Sequence, residues 1–237
     1  MYMQLKTCRQ PIFLLLFSGN SKALPYIMKI NIRYAALEDA VAMVEIKNQL
    51  SFKNVNGTTT TGGFLFGTSL PTYQEYIAND YCLVAENENE IIGFGIILKN
   101  TTLQQSDIWT KRHVANWEVD ITKYESPNVC YFEQLAFLQG YTRVVIRLCY
   151  QLLRLAFNTH DNLFATTVSS PIMNLAAIPF IEKAGGRKIG RINEVYPEIG
   201  HILSDIYLIE KDIYLNRLQH SGLKPLLNRV QYELHII

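Results

Sequence analysis

The stretch Asn128–Ile192 constrains the fold more than any other part of this chain of 237 residues. It reads as a strand, a loop, a helix, a second strand, a second helix and a closing strand. Its most telling segments are YFEQLAF, LQGYTRV and LFATTVSSPIMNLAAIPFIEKAGGRKIGRI. A strand that leads through a tight loop into a helix presents the free backbone N–H groups of the helix start to a phosphate. This order predicts an α/β fold with a phosphate-binding loop between its first strand and first helix.

The composition is that of an ordinary globular protein, with 49% hydrophobic and 18% charged residues. We find neither an internal repeat nor a low-complexity linker and expect one principal domain over residues 28–215, followed by an amphipathic tail over residues 216–237. The formal net charge of +1 and the lack of a basic stripe argue against nucleic acid as a partner.

The first 27 residues are predicted to be an N-terminal extension. Lys6 and Arg9 precede the apolar run PIFLLLF, as in a signal peptide, but this run is short and has no clear cleavage site after it. It is also too short to span a membrane. Three alternatives stay open: a dispensable or mis-assigned start before Met28, a weak targeting segment, or an ordinary extra element.

The cysteines and histidines indicate neither disulfides nor a metal. None of the four cysteines has CxxC spacing, and three lie in apolar runs where cysteine acts as a small buried hydrophobe. The histidines form no cluster with acids or cysteines at metal-ligand spacing. We therefore predict a reduced, cytoplasmic protein without a metal and without a membrane partner.

The elements before Asn128 follow from periodicity. We predict a strand at Lys29–Tyr34, a helix at Ala36–Gln49, a helix at Pro71–Asn79 and a hairpin of Tyr81–Glu86 with Ile91–Leu98. The buried side chains of the two helices should include Leu37, Ala40, Val41, Val44 and Ile46 in the first, and Leu70 and Ile77 in the second.

Two long segments have no clean period. Val55–Gly67 is rich in Thr and Gly and predicts a loop near the substrate cleft, because its glycines do not fit a GxxxxGK[ST] motif. Thr101–Asn128 is either a lid or recognition element, or contains a helix that packs Trp109 and Trp117 on one side. After Ile192 we expect the irregular stretch NEVYPEIGHIL and then a strand at Ser204–Leu208.

Together, the strand YFEQLAF, the loop before VVIRL and the segment TTVSSPIMNLAAIPFIEKAGGRKIG resemble the core of the GCN5-related N-acetyltransferase superfamily. The resemblance extends over roughly residues 28–208 and includes the opening IRYAALEDAVAMVEI. It implies an α/β (α+β) fold with a mixed, mostly antiparallel sheet of about six to seven strands flanked by helices. It also implies acetyl-CoA or another acyl-CoA as co-substrate.

The resemblance assigns cofactor contacts to three places. The strand at Val129–Phe137 should splay from its neighbour and bind the pantetheine arm through the backbone of Leu135, Ala136 and Phe137. Asn174 should contact the same arm, although an Asn before a helix is also a good N-cap. The loop and first helical turns should hold the pyrophosphate through residues Thr142, Arg143, Val144, Val145, Ile146 and Arg147.

The loop departs from the superfamily pattern Q/R-x-x-G-x-G/A, because Val145 and Arg147 stand where the two glycines belong. A Cβ obstructs close approach of a phosphate to the backbone. Arg143 and Arg147 could supply charge to the phosphates instead, or could be ordinary helix-surface charges.

The resemblance supplies candidates for the catalytic base but no clear general acid. Ile181 stands at the place of the tyrosine that often protonates the leaving thiolate. By its position on the strand, Glu133 is the best candidate for the base, and a structural ion pair is the alternative role. Tyr141 is the second candidate, while Tyr131 and Glu118 are weaker ones.

The leading hypothesis is an N-acyltransferase that moves an acetyl or other acyl group from acyl-CoA to an amine by direct attack in a ternary complex. The acceptor would be a small-molecule amine or a protein or peptide amine, and a homodimer is compatible with this function. Two alternatives stay open: a catalytically impaired acyl-CoA-binding sensor or scaffold, and an acyl-carrier-protein-dependent N-acyl amino acid synthase.

Overall fold

The computed structural model describes residues 30–50, 57–60, 62, 65, 67–125, 128–196 and 200–221. The predicted extension over residues 1–27 and the tail beyond residue 221 lie outside this part of the chain. The helices are α1 (Asp39–Leu50), α2 (Leu70–Asn79), α3 (Asn100–Gln105), α4 (Asp107–Thr110), α5 (Thr142–Thr159), α6 (Ile178–Lys183) and α7 (Lys211–Gln219). The strands are β1 (Ile30–Tyr34), β2 (Gly57–Thr59), β3 (Tyr81–Asn87), β4 (Glu90–Leu98), β5 (Asn116–Trp117), β6 (Val129–Phe137), β7 (Asn162–Ser170), β8 (Ile172–Asn174), β9 (Arg187–Tyr196) and β10 (Gly200–Glu210).

A central sheet of eight strands has the order β1-β3-β4-β6-β7-β10-β9-β5. Every neighbouring pair is antiparallel except β6 and β7, which run parallel and are joined by α5. The predicted mixed, mostly antiparallel sheet is confirmed. The count exceeds the predicted six to seven because two residues, Asn116 and Trp117, pair with β9 as an additional edge strand.

The sheet separates two hydrophobic clusters. The first, which we call the α1/α2 face, contains buried side chains of α1, α2, α3 and α4. The second, the α5 face, is built from α5 with contributions from α6 and α7. Side chains alternate between the two clusters along β10, where Ile206 and Leu208 join the first and Tyr207 and Ile209 the second.

The apolar stripe predicted for α1 is wrong at two positions. Leu37 and Val41 are 53% and 54% exposed, whereas Met43 is fully buried. The buried face also includes Asp39, which accepts from the Ala36 backbone N–H at 2.8 Å and pairs with Arg33 at 2.6 Å. Leu37 precedes the first residue of α1, and the ion pair of Asp39 places a charged side chain on the buried face of the helix.

In α2, Leu70 is 38% exposed and not buried as predicted, because it is the first helical residue. Ser69 caps this helix by accepting from the Thr72 backbone N–H. The fully buried residue of α2 is Tyr73, which a pattern of aliphatic residues does not reveal.

The hairpin of β3 and β4 turns through Glu88 and Asn89, both with positive φ. Gly95 of β4 lies under α5: a Cβ there would come within 2.5 Å of the Leu152 side chain and 2.8 Å of the Leu148 side chain. Close packing of a helix therefore explains this glycine.

The segment that follows β4 covers the α1/α2 face of the sheet. It is broken into short helices and turns, so the alternative of one helix with both tryptophans on one side is wrong. Trp109, Trp117 and Tyr124 nevertheless converge, each with its ring nearly perpendicular to the Phe164 ring, at centroid distances of 6.1, 6.5 and 5.6 Å. Edge-to-face aromatic packing thus fixes this segment to β7.

The stretch after Ile192, predicted as irregular, is a hairpin. β9 continues to Tyr196 and β10 begins at Gly200, with Ile202 opposite Glu194 in the register. Gly and Pro signals hid these strand ends. Helix α7 crosses the predicted domain boundary after residue 215, and no helix in the described part of the chain is long and apolar enough to cross a membrane.

Candidate functional site

The parallel strands β6 and β7 separate partway along their length. Their register runs from Val129–Asn162 to Phe132–Ala165 and then stops. Beyond it, β6 continues beside β4 to Phe137, and β7 continues beside β10 to Ser170. The gap between them is bordered by backbone groups that need partners. The splay expected for this strand is therefore present, and the backbone of Leu135, Ala136 and Phe137 lies along it.

A β-bulge lies at the point where the strands separate. Ile97 pairs with Phe132 and Ile96 with Gln134, so that Glu133 is the extra residue in β6. A bulge re-aims the side chain at the irregularity. Tyr131 and Gln134 both lie on the α1/α2 face, and Glu133 interacts with groups on the same side.

The surroundings of Glu133 favour its neutral form. Burial raises the pKa of Glu133 to about 7, a hydrogen bond from Gln134 opposes this rise, and the charges of Asp80 and Glu194 add to it. None of the ion pairs among the described residues includes Glu133. The alternative of a structural ion pair therefore has no support in this part of the chain.

Three tyrosines lie around this carboxyl group. Burial raises the pKa of Tyr73, Tyr76 and Tyr131 well above the usual value, and the charge of Glu133 contributes in each case. These phenols stay protonated at neutral pH. The Tyr131 hydroxyl and the Thr166 hydroxyl lie 2.5 Å apart and join β6 to β7 at the apex of the gap.

Glu194 of β9 is a second carboxyl group near this apex. It is half-buried and accepts a hydrogen bond from Ser204 at 3.2 Å. Burial raises its pKa, while Ser204 and the more distant charge of Lys111 lower it. Glu194 is absent from the predicted site residues because its stretch was predicted to be an irregular connection, and only the register of β9 and β10 reveals it.

Only part of the start of α5 is accessible to an anion. Gly140 has φ +96°, and a Cβ there would have no neighbour within 4 Å. Of the residues predicted to hold the pyrophosphate, Thr142 and Arg143 are exposed, while Val145, Ile146 and Arg147 are half-buried.

Val144 is different because its side chain belongs to the core and its backbone N–H donates to the Tyr141 carbonyl at 2.9 Å. The first turn of the helix, and not its Val144 side chain, is therefore the part that can meet a phosphate.

Asn174 stabilises the turn that precedes α6. Its side-chain oxygen accepts from the backbone N–H groups of Ala176 and Ala177 at 3.2 and 3.3 Å. The helix α6 starts later than predicted, at Ile178, so that Pro179 stands in its first turn and does not kink it. The N-cap of α6 is Ala177, which has no side-chain cap hydrogen bond, so the predicted capping of this helix by Asn174 is wrong. A cofactor contact by Asn174 stays a prediction.

The two predicted catalytic side chains lie on opposite faces of the sheet. Tyr141 packs against the cluster of the α5 face, which also contains Ile181. Glu118, a weaker candidate, is exposed in the segment beside β9. Of the candidates, only Tyr131 and Glu133 come together.

Residues 57–59, predicted as part of a loop, form a short strand of a separate two-stranded sheet. β2 pairs in parallel with β8, and the Leu175 N–H donates to the Thr59 carbonyl at 2.8 Å. The loop assignment is wrong for these three residues, although the predicted proximity to the gap agrees with this pairing. The segment thereby connects the α1–α2 region to the turn that carries Asn174.

The cysteines described in the structure are not nucleophiles. Burial raises the pKa of Cys82 to about 12 and that of Cys130 and Cys149 above it. Thiols of this kind stay protonated and unreactive. Among the described residues, no group of three or more His, Cys, Asp and Glu side chains could hold a metal ion.

This architecture is the fold of the GCN5-related N-acetyltransferase superfamily. An N-acetyltransferase from Staphylococcus aureus Mu50 aligns with 77% of this chain and 98% of its own, at a TM-score of 0.52 and 16% identity. The protein yncA from Salmonella typhimurium, solved with its cofactor acetyl-CoA, aligns with 77% of this chain and 94% of its own, at 0.52 and 13%.

The ribosomal-protein-S18-alanine N-acetyltransferase from Escherichia coli aligns with 76% of this chain and 93% of its own, at a TM-score of 0.51 and 14% identity. No family model matches the sequence, and no curated protein matches it. The likeness therefore concerns the fold and extends over nearly the whole length of the similar structures.

Proposed function

We propose that the protein is an N-acyltransferase that transfers an acetyl or other acyl group from acyl-CoA to an amine by direct attack. The observation that carries this proposal is the placement of Glu133, a carboxyl group with a pKa of about 7, at the bulge where β6 and β7 separate. A base whose pKa lies near the working pH is the most effective proton acceptor.

The residues on the donor side fit a CoA ester. The unpaired edges of the gap suit the amide groups of a pantetheine arm, and the start of α5 suits a pyrophosphate. Gly140 leaves open space in the loop before that helix. Val145 and Arg147 lack the expected glycines, so we propose that the exposed Arg143 contributes charge to phosphate binding.

The acceptor would enter from the α1/α2 face. An amine arrives as an ammonium ion, and its positive charge beside Glu133 and Glu194 would offset the burial that disfavours the ionised form of these two carboxyl groups. Glu133 takes one proton from the ammonium ion, the free amine attacks the thioester carbonyl carbon, and the carbon–sulfur bond breaks with its electron pair on sulfur. The second proton leaves the nitrogen and reaches the sulfur through solvent, so that the products are the amide and the CoA thiol. We propose a cationic amine as the acceptor and Glu194 as the group that selects for its charge.

A sensor or scaffold is the second candidate, because Ile181 is buried in the α5 face and cannot protonate the leaving sulfur. The high pKa of the described cysteines argues against a covalent acyl-enzyme in either case.

The test is an acyl-transfer assay with acetyl-CoA, longer acyl-CoAs and a panel of mono- and diamines, following thiol release and the mass of the product. The wild type should form amide, and Glu133→Gln should lose about 10²–10⁴-fold in kcat while it retains acyl-CoA binding. Thermal stabilisation by CoA esters without product would favour the sensor. If no CoA ester stabilises the protein and none gives a product, the proposal is wrong.

A further inference from the structure

Gln134 is a buried amide in the middle of a central strand. It is 6% exposed and comes directly after the bulge residue Glu133. An amide that leaves water costs free energy unless its hydrogen-bonding groups find partners. The hydrogen-bond partners of Gln134 explain why a polar side chain is present here.

Both ends of the Gln134 amide are occupied. The Tyr73 hydroxyl donates to Oε1 at 2.8 Å, and Nε2 donates to the Thr68 hydroxyl at 2.7 Å. Tyr73 is fully buried and Thr68 is 5% exposed, so water does not compete for these bonds. The Lys47 ammonium donates to the Thr68 carbonyl at 2.5 Å and anchors the turn before α2.

Gln134 is also the chain neighbour of Glu133 at the bulge of β6. A hydrogen bond from Gln134 opposes the rise of the Glu133 pKa that burial causes. The bulge thus places two neighbouring polar side chains on one face of the sheet, with α2 and the Thr68 turn holding one of them from above.

We infer that Gln134 is a positioning residue for Glu133: its amide, held by Tyr73 and Thr68, keeps the bulge of β6 in register and directs the carboxyl group to the gap. The catalytic part of this inference rests on the proposed function. The network itself does not, because its effect on Glu133 is measurable without turnover.

The decisive variant is Gln134→Met, which keeps the length of the side chain and removes its polar atoms. Gln151→Met is the matched control, because Gln151 is an equally buried glutamine of α5 outside the network, 3% exposed. The pKa of Glu133 is read from the carboxyl ¹³C titration of the full chain, with Glu133→Gln to assign the signal. Thermal unfolding verifies that each variant is folded.

We expect a higher Glu133 pKa in Gln134→Met and no change in Gln151→Met. In the transfer assay, kcat near neutral pH should fall at least about tenfold with the KM for acyl-CoA nearly unchanged, and the acidic limb of the pH profile should move to higher pH. If Gln134 had only a structural role, Gln134→Met would lower the unfolding temperature but would change neither the Glu133 carboxyl titration nor the pH profile of kcat.

Two further variants keep the test decisive if Gln134→Met does not fold. Tyr73→Phe and Thr68→Val each remove one partner and should each raise the Glu133 pKa by part of the full effect. An unchanged Glu133 titration in all folded variants of the network would overturn the inference. Lack of turnover in the wild type would instead overturn the proposed function, while the carboxyl titration would still decide the network.

Discussion

At the scale of single residues, the raised pKa of Glu133 has a cost in stability that depends on pH. Its pKa rises from the ordinary 4.5 to about 7 on folding. Between these values the folded state binds more protons than the unfolded state, so the stability falls as the pH rises through this window.

Glu133→Gln removes this titration. The variant should therefore match the wild type at pH ~4 and exceed it by on the order of 3 kcal/mol at pH ~8, since the pKa changes by about 2.5 units and one unit corresponds to about 1.4 kcal/mol. Urea unfolding across this pH range measures the difference. A stability difference that does not change with pH would contradict the assigned environment of Glu133.

A second prediction at this scale concerns the charge of Glu194. In Glu194→Gln, the KM for cationic amine acceptors should rise about tenfold, because an attraction to the ammonium group is lost. The dissociation constant of acetyl-CoA should stay within about twofold of the wild type, since the donor contacts of the proposal lie elsewhere.

Glu90→Gln is the matched control for net charge, because Glu90 is exposed at the β3–β4 turn. Steady-state kinetics with one amine and one neutral nucleophile of similar size distinguishes charge selection by Glu194 from an effect that does not depend on the charge of the acceptor. Equal effects on both acceptors, or the same change in Glu90→Gln, would exclude charge selection by Glu194.

At the scale of elements, the loop before α5 can be tested through its backbone. Gly140 has φ +96°, which L side chains adopt at a cost of roughly 1–2 kcal/mol. Gly200, with φ +87° and equally open space, is a matched control at the first residue of β10. Alanine at either position should destabilise the protein to a similar extent.

Only Gly140→Ala should also weaken acetyl-CoA binding, by about tenfold or more, because the strain would shift the start of α5 that is proposed to meet the pyrophosphate. Isothermal titration of both variants measures this. Equal affinities in Gly140→Ala and Gly200→Ala would remove this loop from the donor site.

The elements also show how much the sequence can predict. The bounds of β6 and the start and end of α5 agree with their apolar patterns, since these elements are buried on regular faces. The β9–β10 hairpin was missed because a polar strand end on a half-exposed edge has no alternation to detect. Residues 57–59 escaped for another reason: their strand exists only through pairing with β8.

In the site, too, residues with a local sequence signal could be predicted, and residues brought together by long-range pairing could not. Glu133 could be chosen from its position in a central strand, where a carboxyl group is costly to bury. Tyr73 and Glu194 could not, because they are far from Glu133 in the chain and approach it only through α2 and the register of β9. Gln134 is adjacent, but consecutive side chains of a regular strand point to opposite faces, and only the bulge brings the two together. Side chains brought together by long-range pairing leave no local pattern.

At the scale of the whole molecule, the sheet separates the two halves of the proposed reaction. Gly140 and Tyr141 precede α5, which packs on one face, whereas Glu133 and Glu194 interact with groups on the other. The gap between β6 and β7 is an opening in the sheet between these two faces. Donor and acceptor would then approach from opposite sides and meet at the bulge.

This arrangement predicts additivity. The double variant Gly140→Ala/Glu194→Gln should lower kcat/KM by the product of the two single effects, because sites without shared partners add within about 0.5 kcal/mol. That limit corresponds to roughly a twofold deviation in rate.

By contrast, Gln134→Met combined with Glu133→Gln should cost no more than Glu133→Gln alone, because both variants act through one carboxyl group. Kinetics of the two double variants at saturating and limiting amine measures whether the effects are additive in the first pair and not additive in the second. Strong coupling in the first pair would mean that one surface binds both donor and acceptor, contrary to a sheet that keeps them apart until the bulge.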